Sequence, residues 1–158
     1  MKWKSSSSAA ENAWAVLPKM ADDYFDAGRK AADGKRSSKE LHRFRVATKR
    51  FRYALELFRP VYGPSLDRHL QALRGLQDSL GKVSDCQTIQ LMLARDEALQ
   101  ARLQRTMKRK LKEFRRDWRA FDSGGEHKRW KTYLSRGRRR APASERRILE
   151  KPAIRPGA

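Results

Sequence analysis

Residues 40–60 read ELHRFRVATKRFRYALELFRP, and the fold of the chain is decided by this stretch. On a helical wheel of about 100° per residue, its apolar side chains fall in one arc. They are Phe44, Ala47, Phe51, Ala54, Leu55 and Phe58. A second, separate arc holds His42, Arg45, Lys49 and Arg52. The pattern therefore predicts an amphipathic helix with one core face and one cationic face.

The four cationic positions are spaced so that their side chains stack along one side of the helix. Like charges at this spacing repel, so a helix selected only for stability would place acids among them. Only Glu56 does so, at the far end. A solvated face of lysine and arginine is the simpler interpretation. We favour polyanion binding, because Arg43, Arg50 and Arg59 lie beside the cationic positions in a strongly basic chain.

The composition restricts the class of partner. The 158 residues contain 38 Lys and Arg against 18 Asp and Glu, a formal net charge of +20. Such an excess favours nucleic acid, polyphosphate or an anionic membrane surface, with binding that weakens as salt rises. No apolar run approaches the roughly 18 residues of a membrane span, and no secretory signal is evident at the start. We therefore expect no membrane-spanning helix and a cytoplasmic location, and of the three partner classes we prefer the first two, with no membrane partner.

Catalytic and metal-binding patterns are missing from the sequence. Cys86 is the single cysteine, and His42, His69 and His127 lie far apart. The chain has no G-x-x-x-x-G-K-[ST] phosphate loop and no H-E-x-x-H metal motif. Phosphoryl chemistry would also need metal-binding carboxylates near the phosphate. We expect no enzyme activity, no metal site and no cofactor.

Apolar periodicity predicts four main helices in an up-down bundle. We expect a flexible arm at residues 1–8, a helical bundle at 9–122 and a basic, largely disordered tail at 123–158. Pro18 predicts either a kink in the first helix or a start near Leu17. Ser37 and Glu40 form a capping-box pattern for the second helix. Further along the chain, we interpret Gly75 as a point of close helix packing.

A second amphipathic pattern runs from residue 95 to residue 121. Its cationic side includes Arg105, Lys108 and Lys112, which we assign to the binding set. A plain solvent face explains this pattern about equally well. The acids Asp22, Asp23 and Asp26 form the only strongly acidic patch, whose role is either to pair with a basic helix or to tune the binding face.

The segment LHRFRVATKRFRYALELF resembles the signature helix of CHAD domains, the conserved histidine α-helical domains. The residues that carry the likeness are His42, Arg45, Val46, Lys49, Arg50, Phe51, Arg52 and Tyr53. The segment LRGLQDSLGKVSDCQTIQLML is similar to the next motif of that family, through Leu76, Gln77, Asp78, Leu80, Gly81 and Asp85. FRRDWRAF at residues 114–121 also resembles the end of such domains.

The resemblance implies two pseudo-symmetric four-helix bundles whose basic helices bind inorganic polyphosphate without catalysis. The implied binding residues are His42, Arg45, Lys49 and Arg52, with Arg50 a weaker match. This sequence holds one signature helix where complete members hold two, so it resembles the C-terminal half alone. Either it is a truncated form that binds weakly, or two copies pair as a homodimer that rebuilds the double bundle. We favour the homodimer.

Two other functional classes stay open. RNA or DNA binding through the same helices is compatible with the positive charge, because counterion release favours the binding of any polyanion. Against it, Tyr53 is the main aromatic candidate for stacking on bases, and the cationic positions lack the Asn and Gln pairings that read bases. The other class is an accessory subunit whose basic face docks an acidic protein. Competition between polyphosphate and nucleic acid separates these classes.

Overall fold

A computed structural model describes residues 6–33, 37–92 and 97–136. The regular structure of these residues is entirely helical, which confirms the prediction of an all-α fold. The helices are α1 (Ala9–Ala32), α2 (Ser38–Leu57), α3 (Arg59–Tyr62), α4 (Asp67–Met92), α5 (Glu97–Phe121) and α6 (Glu126–Leu134), with a 3₁₀ turn at Pro64–Leu66. None of the described helices combines the length and the hydropathy that crossing a bilayer requires.

The first helix begins well before Pro18. The hydroxyl of Ser8 accepts a hydrogen bond from the Glu11 amide, and the Glu11 carboxylate accepts one from the Ser8 amide. This capping box satisfies two amides that a helix start leaves unpaired. Leu17 and Ala21 on either side of Pro18 are fully buried, and α1 continues through the proline. The alternative of a start near Leu17 is therefore wrong.

The second helix begins as predicted. Ser37 and Glu40 form the expected capping box, with the Glu40 amide 3.3 Å from the Ser37 hydroxyl. The helix ends at Leu57, three residues before Pro60. The chain then turns through α3 and Gly63, whose φ of 68° is a conformation that glycine adopts without a steric penalty.

The four long helices pack around an aromatic core. Helix α2 contacts α1 and α4, α4 contacts α5, and α1 contacts α2, α5 and α6. Tyr24 of α1 lies at the centre, with its ring centroid 5.3 Å from that of Phe44 and 5.7 Å from that of Trp118. The Phe44 and Trp118 rings meet edge to face at 5.3 Å. Helices α2 and α5 therefore point their apolar sides at each other through the middle of the bundle.

The packed domain extends beyond the expected boundary at residue 122. Helix α6 lies in the segment that we assigned to a disordered tail, and it buries Trp130 and Leu134 against the core. Trp130, Tyr133 and Leu134 are the apolar cluster that this otherwise basic segment offers for local docking. Residues 137–158, the rest of the expected tail, lie outside the described part of the chain, as do residues 1–5 of the expected arm.

Ionic contacts with α1 hold α6 in place. The Asp22 carboxylate lies 2.7 Å from the Lys131 ammonium and 2.8 Å from Nε2 of His127. The imidazole ring of His127 also stacks on Phe25, with the two ring centroids 4.6 Å apart. One acid of the patch at residues 22–26 thus pairs with a basic helix, which was one of the two roles expected for it.

Among the glycines that the structure describes, Gly28 lies closest to a side chain of another helix. A Cβ atom at this position would lie 1.9 Å from Cη2 of Trp118, whose side chain is almost fully buried. By contrast, a Cβ at Gly75 would meet nothing within 4 Å. The interpretation of Gly75 as a point of close packing is therefore wrong, and Gly28 has that role.

Replacing Gly28 with alanine is expected to lower the free energy of unfolding by about 1–3 kcal/mol or more, because the Trp118 ring cannot move without disturbing its aromatic neighbours. The matched control is Gly75→Ala, which gains helix propensity and is expected to raise the stability by up to about 1 kcal/mol. Urea denaturation followed by circular dichroism measures both. Equal effects of the two substitutions would contradict this packing.

The Asp22 contacts predict a pH dependence of stability. Burial raises the pKa of Asp22, but the hydrogen bonds from Lys131 and His127 outweigh it, so the pKa lies below the ordinary value of 3.8. The stabilisation that the ionised Asp22 provides is therefore complete at a pH above that ordinary value, and it is lost as the pH falls through the lower, folded-state pKa.

The variant Asp22→Asn is expected to be less stable than the wild-type protein near pH 7, and the difference is expected to shrink below about pH 4. Urea midpoints measured across this pH range provide the test. Asp23→Asn is the control, because Asp23 is exposed on the same turn of α1. If the difference in stability between Asp22→Asn and wild type stays constant at all pH values, the ionised Asp22 carboxylate does not stabilise the fold in this way.

Candidate functional site

Buried side chains determine which side of α2 faces outward. Phe44, Phe51 and Leu55 are at most 3% exposed and fix the rotation of the helix about its axis. The cationic positions consequently lie on the side away from the core. His42 is exposed, and Arg45 and Lys49 are half-buried. The arrangement follows from the helical period alone, as the sequence predicted.

Three of these cations have no acidic partner in the described residues. Neither His42 nor Lys49 makes a hydrogen bond or ion pair there. The Nε atom of Arg45 is buried and has no hydrogen-bond partner within the same residues. An unpaired buried donor costs about 1–3 kcal/mol, so an anion that accepted from Arg45 would relieve this cost. We call His42, Arg45 and Lys49 the α2 face.

Arg52 is in a different situation. Its Nε donates to Oε1 of Gln77 on α4 at 3.0 Å, and its guanidinium forms an ion pair with Glu56. Arg74 of α4 also reaches Glu56, at 3.3 Å. The Arg52 guanidinium further stacks over the ring of Tyr53, 4.4 Å from its centroid. Arg52 therefore joins α2 to α4, and unlike the other three residues it has an acidic partner, which it shares with Arg74.

Arg50 points toward α1. With His42 and Arg43 it lines an open groove of about 530 Å³ between α1 and α2. Asp23 lines the same groove, so one carboxylate of the acidic patch lies beside these cations. The groove adjoins the α2 face through His42, and Arg50 belongs to its edge.

The predicted residues of α5 lie on another side of the molecule. Arg105, Lys108 and Lys112 are exposed and form no ion pair among the described residues. Because the apolar sides of α2 and α5 meet in the core, the outward sides of these helices face in opposite directions. The structure thus brings together His42, Arg45, Lys49 and Arg52, and it separates them from Arg105, Lys108 and Lys112.

Sequence reasoning missed a basic cleft of about 880 Å³ between α4, the turn before α6, and α6 itself. Arg68, Arg129 and Arg136 contribute its guanidinium groups. His69 lies in its wall, stacked on Tyr133 with ring centroids 4.4 Å apart, and burial lowers the pKa of His69. That histidine is thus neutral near pH 7. The sequence feature that indicates this cleft is the apolar cluster of Trp130, Tyr133 and Leu134, which forms the buried side of α6.

The described residues contain no group of three His, Cys, Asp or Glu side chains placed to hold a metal ion. The chemistry that the α2 face offers is therefore hydrogen-bond donation and positive charge. Arginine supplies a planar fork for two phosphate oxygens, and lysine supplies a mobile point charge.

Comparison with known proteins gives one match. The family model described as CHAD domain matches residues 1–94 of the chain. The matched residues include α1, α2, α3 and α4, and hence both motifs at residues 41–58 and 73–93. The FRRDWRAF segment of α5 lies beyond them. No curated protein and no solved structure matches the chain. The signature motif, the helical fold and this match together show that the chain belongs to the CHAD domain family.

Proposed function

We propose that this protein is a non-catalytic receptor for inorganic polyphosphate that acts in the cytoplasm. The CHAD family is associated with polyphosphate binding. The observation that carries the proposal is the α2 face, where His42, Arg45 and Lys49 lie along one side of a helix without an acidic partner in the described residues.

The ligand and the α2 face are both linear arrays of like charge. Polyphosphate carries a negative charge on every unit, and the helix presents a cation about every 5 Å along its axis. Arg45 accommodates two phosphate oxygens, while Lys49 and His42 donate on either side of it. The helix holds these groups in place before the ligand arrives, so little ordering entropy is lost on binding.

The larger architecture is also part of the proposal. We infer that the four long helices form an up-down bundle equivalent to half of a CHAD double bundle. Two copies would then pair as a homodimer and place two α2 faces along a shared groove. The exposed apolar side chains of Tyr53 and Leu57 next to the α2 face support this pairing. Sedimentation at micromolar concentration measures it, and the mass of a single chain would contradict it.

The central test compares two variants that each replace three basic side chains with glutamine. H42Q/R45Q/K49Q removes the α2 face, and K19Q/K82Q/K128Q removes three exposed lysines from α1, α4 and α6. At about 150 mM salt, where weak charge pairing is screened, the first variant is expected to lose ~10-fold or more in affinity for long-chain polyphosphate. The second is expected to lose only a few-fold. Fluorescence titration measures both affinities, and circular dichroism checks the helix content.

Equal losses in the two variants would show diffuse electrostatic attraction and would contradict a defined site. Single-stranded RNA with the same number of phosphates is titrated in parallel. We expect it to bind more weakly, because the α2 face offers no base-reading Asn or Gln. RNA binding as tight as that of polyphosphate would favour the alternative of a nucleic-acid or general polyanion binder.

Arg52 is expected to contribute mainly to stability. The variant R52Q removes one of the two arginine partners of Glu56 and the bond to Gln77, and it is expected to lower the free energy of unfolding by about 1–2 kcal/mol. The companion variant E56Q leaves the Arg52–Gln77 bond intact and is expected to lower the free energy of unfolding by less. Thermal denaturation measures both. Unchanged stability of R52Q, together with a loss of polyphosphate affinity, would place Arg52 in the binding site instead.

A further inference from the structure

The outward side of α5 forms a second cationic surface, separate from the α2 face. Arg105, Lys108 and Lys112 are exposed along it and have no ion pair among the described residues. We call these three residues the α5 face. Their spacing of three and four residues places them on one side of the helix.

The acids near this surface pair with other helices or with neighbouring residues of α5 itself, and not with Arg105, Lys108 or Lys112. Asp117 accepts a hydrogen bond from the Ser79 hydroxyl of α4 at 2.6 Å. Asp122, just after α5, accepts two hydrogen bonds from Arg29 of α1, at 2.8 and 3.0 Å. Glu113 pairs with Lys110 at 2.8 Å. Carboxylates thus occupy the flanks of α5 and leave its outward side to cations.

The two cationic faces lie on opposite sides of the bundle. The ring centroids of Phe44 on α2 and Phe114 on α5 are 6.1 Å apart in the core, and helices α1 and α4 each contact both α2 and α5. The α2 face and the α5 face are therefore separated by the combined width of α2 and α5 themselves, roughly 20–25 Å for two helices of about 10–12 Å diameter. A short anion bound at one face cannot reach the other.

We propose that the protein is bivalent: the α2 face and the α5 face each bind a separate stretch of polyphosphate, so that one protein joins two polyphosphate chains. This inference rests on the proposed function and extends it. Bivalent binding to a long polymer produces cross-linked assemblies, whereas a short oligomer fills the two faces independently.

The experiment combines two measurements on the full chain. Isothermal titration with a short polyphosphate oligomer gives the number bound per chain, and light scattering with long-chain polyphosphate reports cross-linking. Wild-type protein is expected to bind two oligomers and to form large assemblies. R105Q/K108Q/K112Q, which lacks the α5 face, is expected to bind one oligomer and to form assemblies with a several-fold lower scattering mass. K19Q/K82Q/K128Q is the matched control and should still bind two oligomers per chain and form large assemblies.

The outcomes separate the two proposals. If the R105Q/K108Q/K112Q variant still binds two oligomers or cross-links as wild type does, bivalency is wrong. If H42Q/R45Q/K49Q loses all oligomer binding, bivalency is again wrong, since the α5 face then binds nothing, but the proposed function stands. If instead H42Q/R45Q/K49Q binds as wild type and the α5 variant loses everything, both the α2 site and bivalency are wrong.

Discussion

The burial of Phe44, Phe51 and Leu55 is the constraint on which the candidate site depends. These side chains pack on the aromatic cluster around Tyr24 and Trp118, and they leave α2 one orientation about its axis. That orientation exposes His42 and places Arg45 and Lys49 beside it. A helix that rotated freely would have no defined cationic face, so the core gives the site its geometry.

A chain of net charge +20 has to fold against its own repulsion. In the described residues, many of the acids lie where helices meet. Glu56 joins Arg52 and Arg74 between α2 and α4, Asp122 joins Arg29 between α5 and α1, and Asp22 joins Lys131 between α1 and α6. These acids thereby hold neighbouring helices together. The basic residues of the α2 face and the α5 face have no acidic partner in the part of the chain that the structure describes.

Local patterns in the sequence were sufficient for part of this structure. The Ser37–Glu40 capping box and the two faces of α2 depend on residues within a few turns of each other, so periodicity predicted them. The partner of Arg52 is Gln77, 25 residues away on α4, and no local pattern indicates such a pairing. The same limit explains Gly28. A Cβ atom at this position would clash with Trp118 on another helix, and no local pattern indicates that contact.

The binding set illustrates the limit most clearly. Arg105, Lys108 and Lys112 look equivalent to His42, Arg45 and Lys49 on a helical wheel, and only the packing of α2 against α5 shows that the two groups face apart. Helix α6 was missed for a related reason. Its apolar residues stabilise a helix only in contact with the α1 side of the core, whereas composition alone assigns this segment to the tail.

Backbone amide chemical shifts, followed by NMR as a short polyphosphate oligomer is added, test the central claim residue by residue. The account predicts that shift changes concentrate near His42, Arg45 and Lys49 and, through the proposed second site, near Arg105, Lys108 and Lys112, with little change at the Gln77 and Ser79 contacts inside the bundle. Changes spread evenly over all basic segments, or absent from residues 42–49, would contradict the assignment of the α2 face as the polyphosphate site.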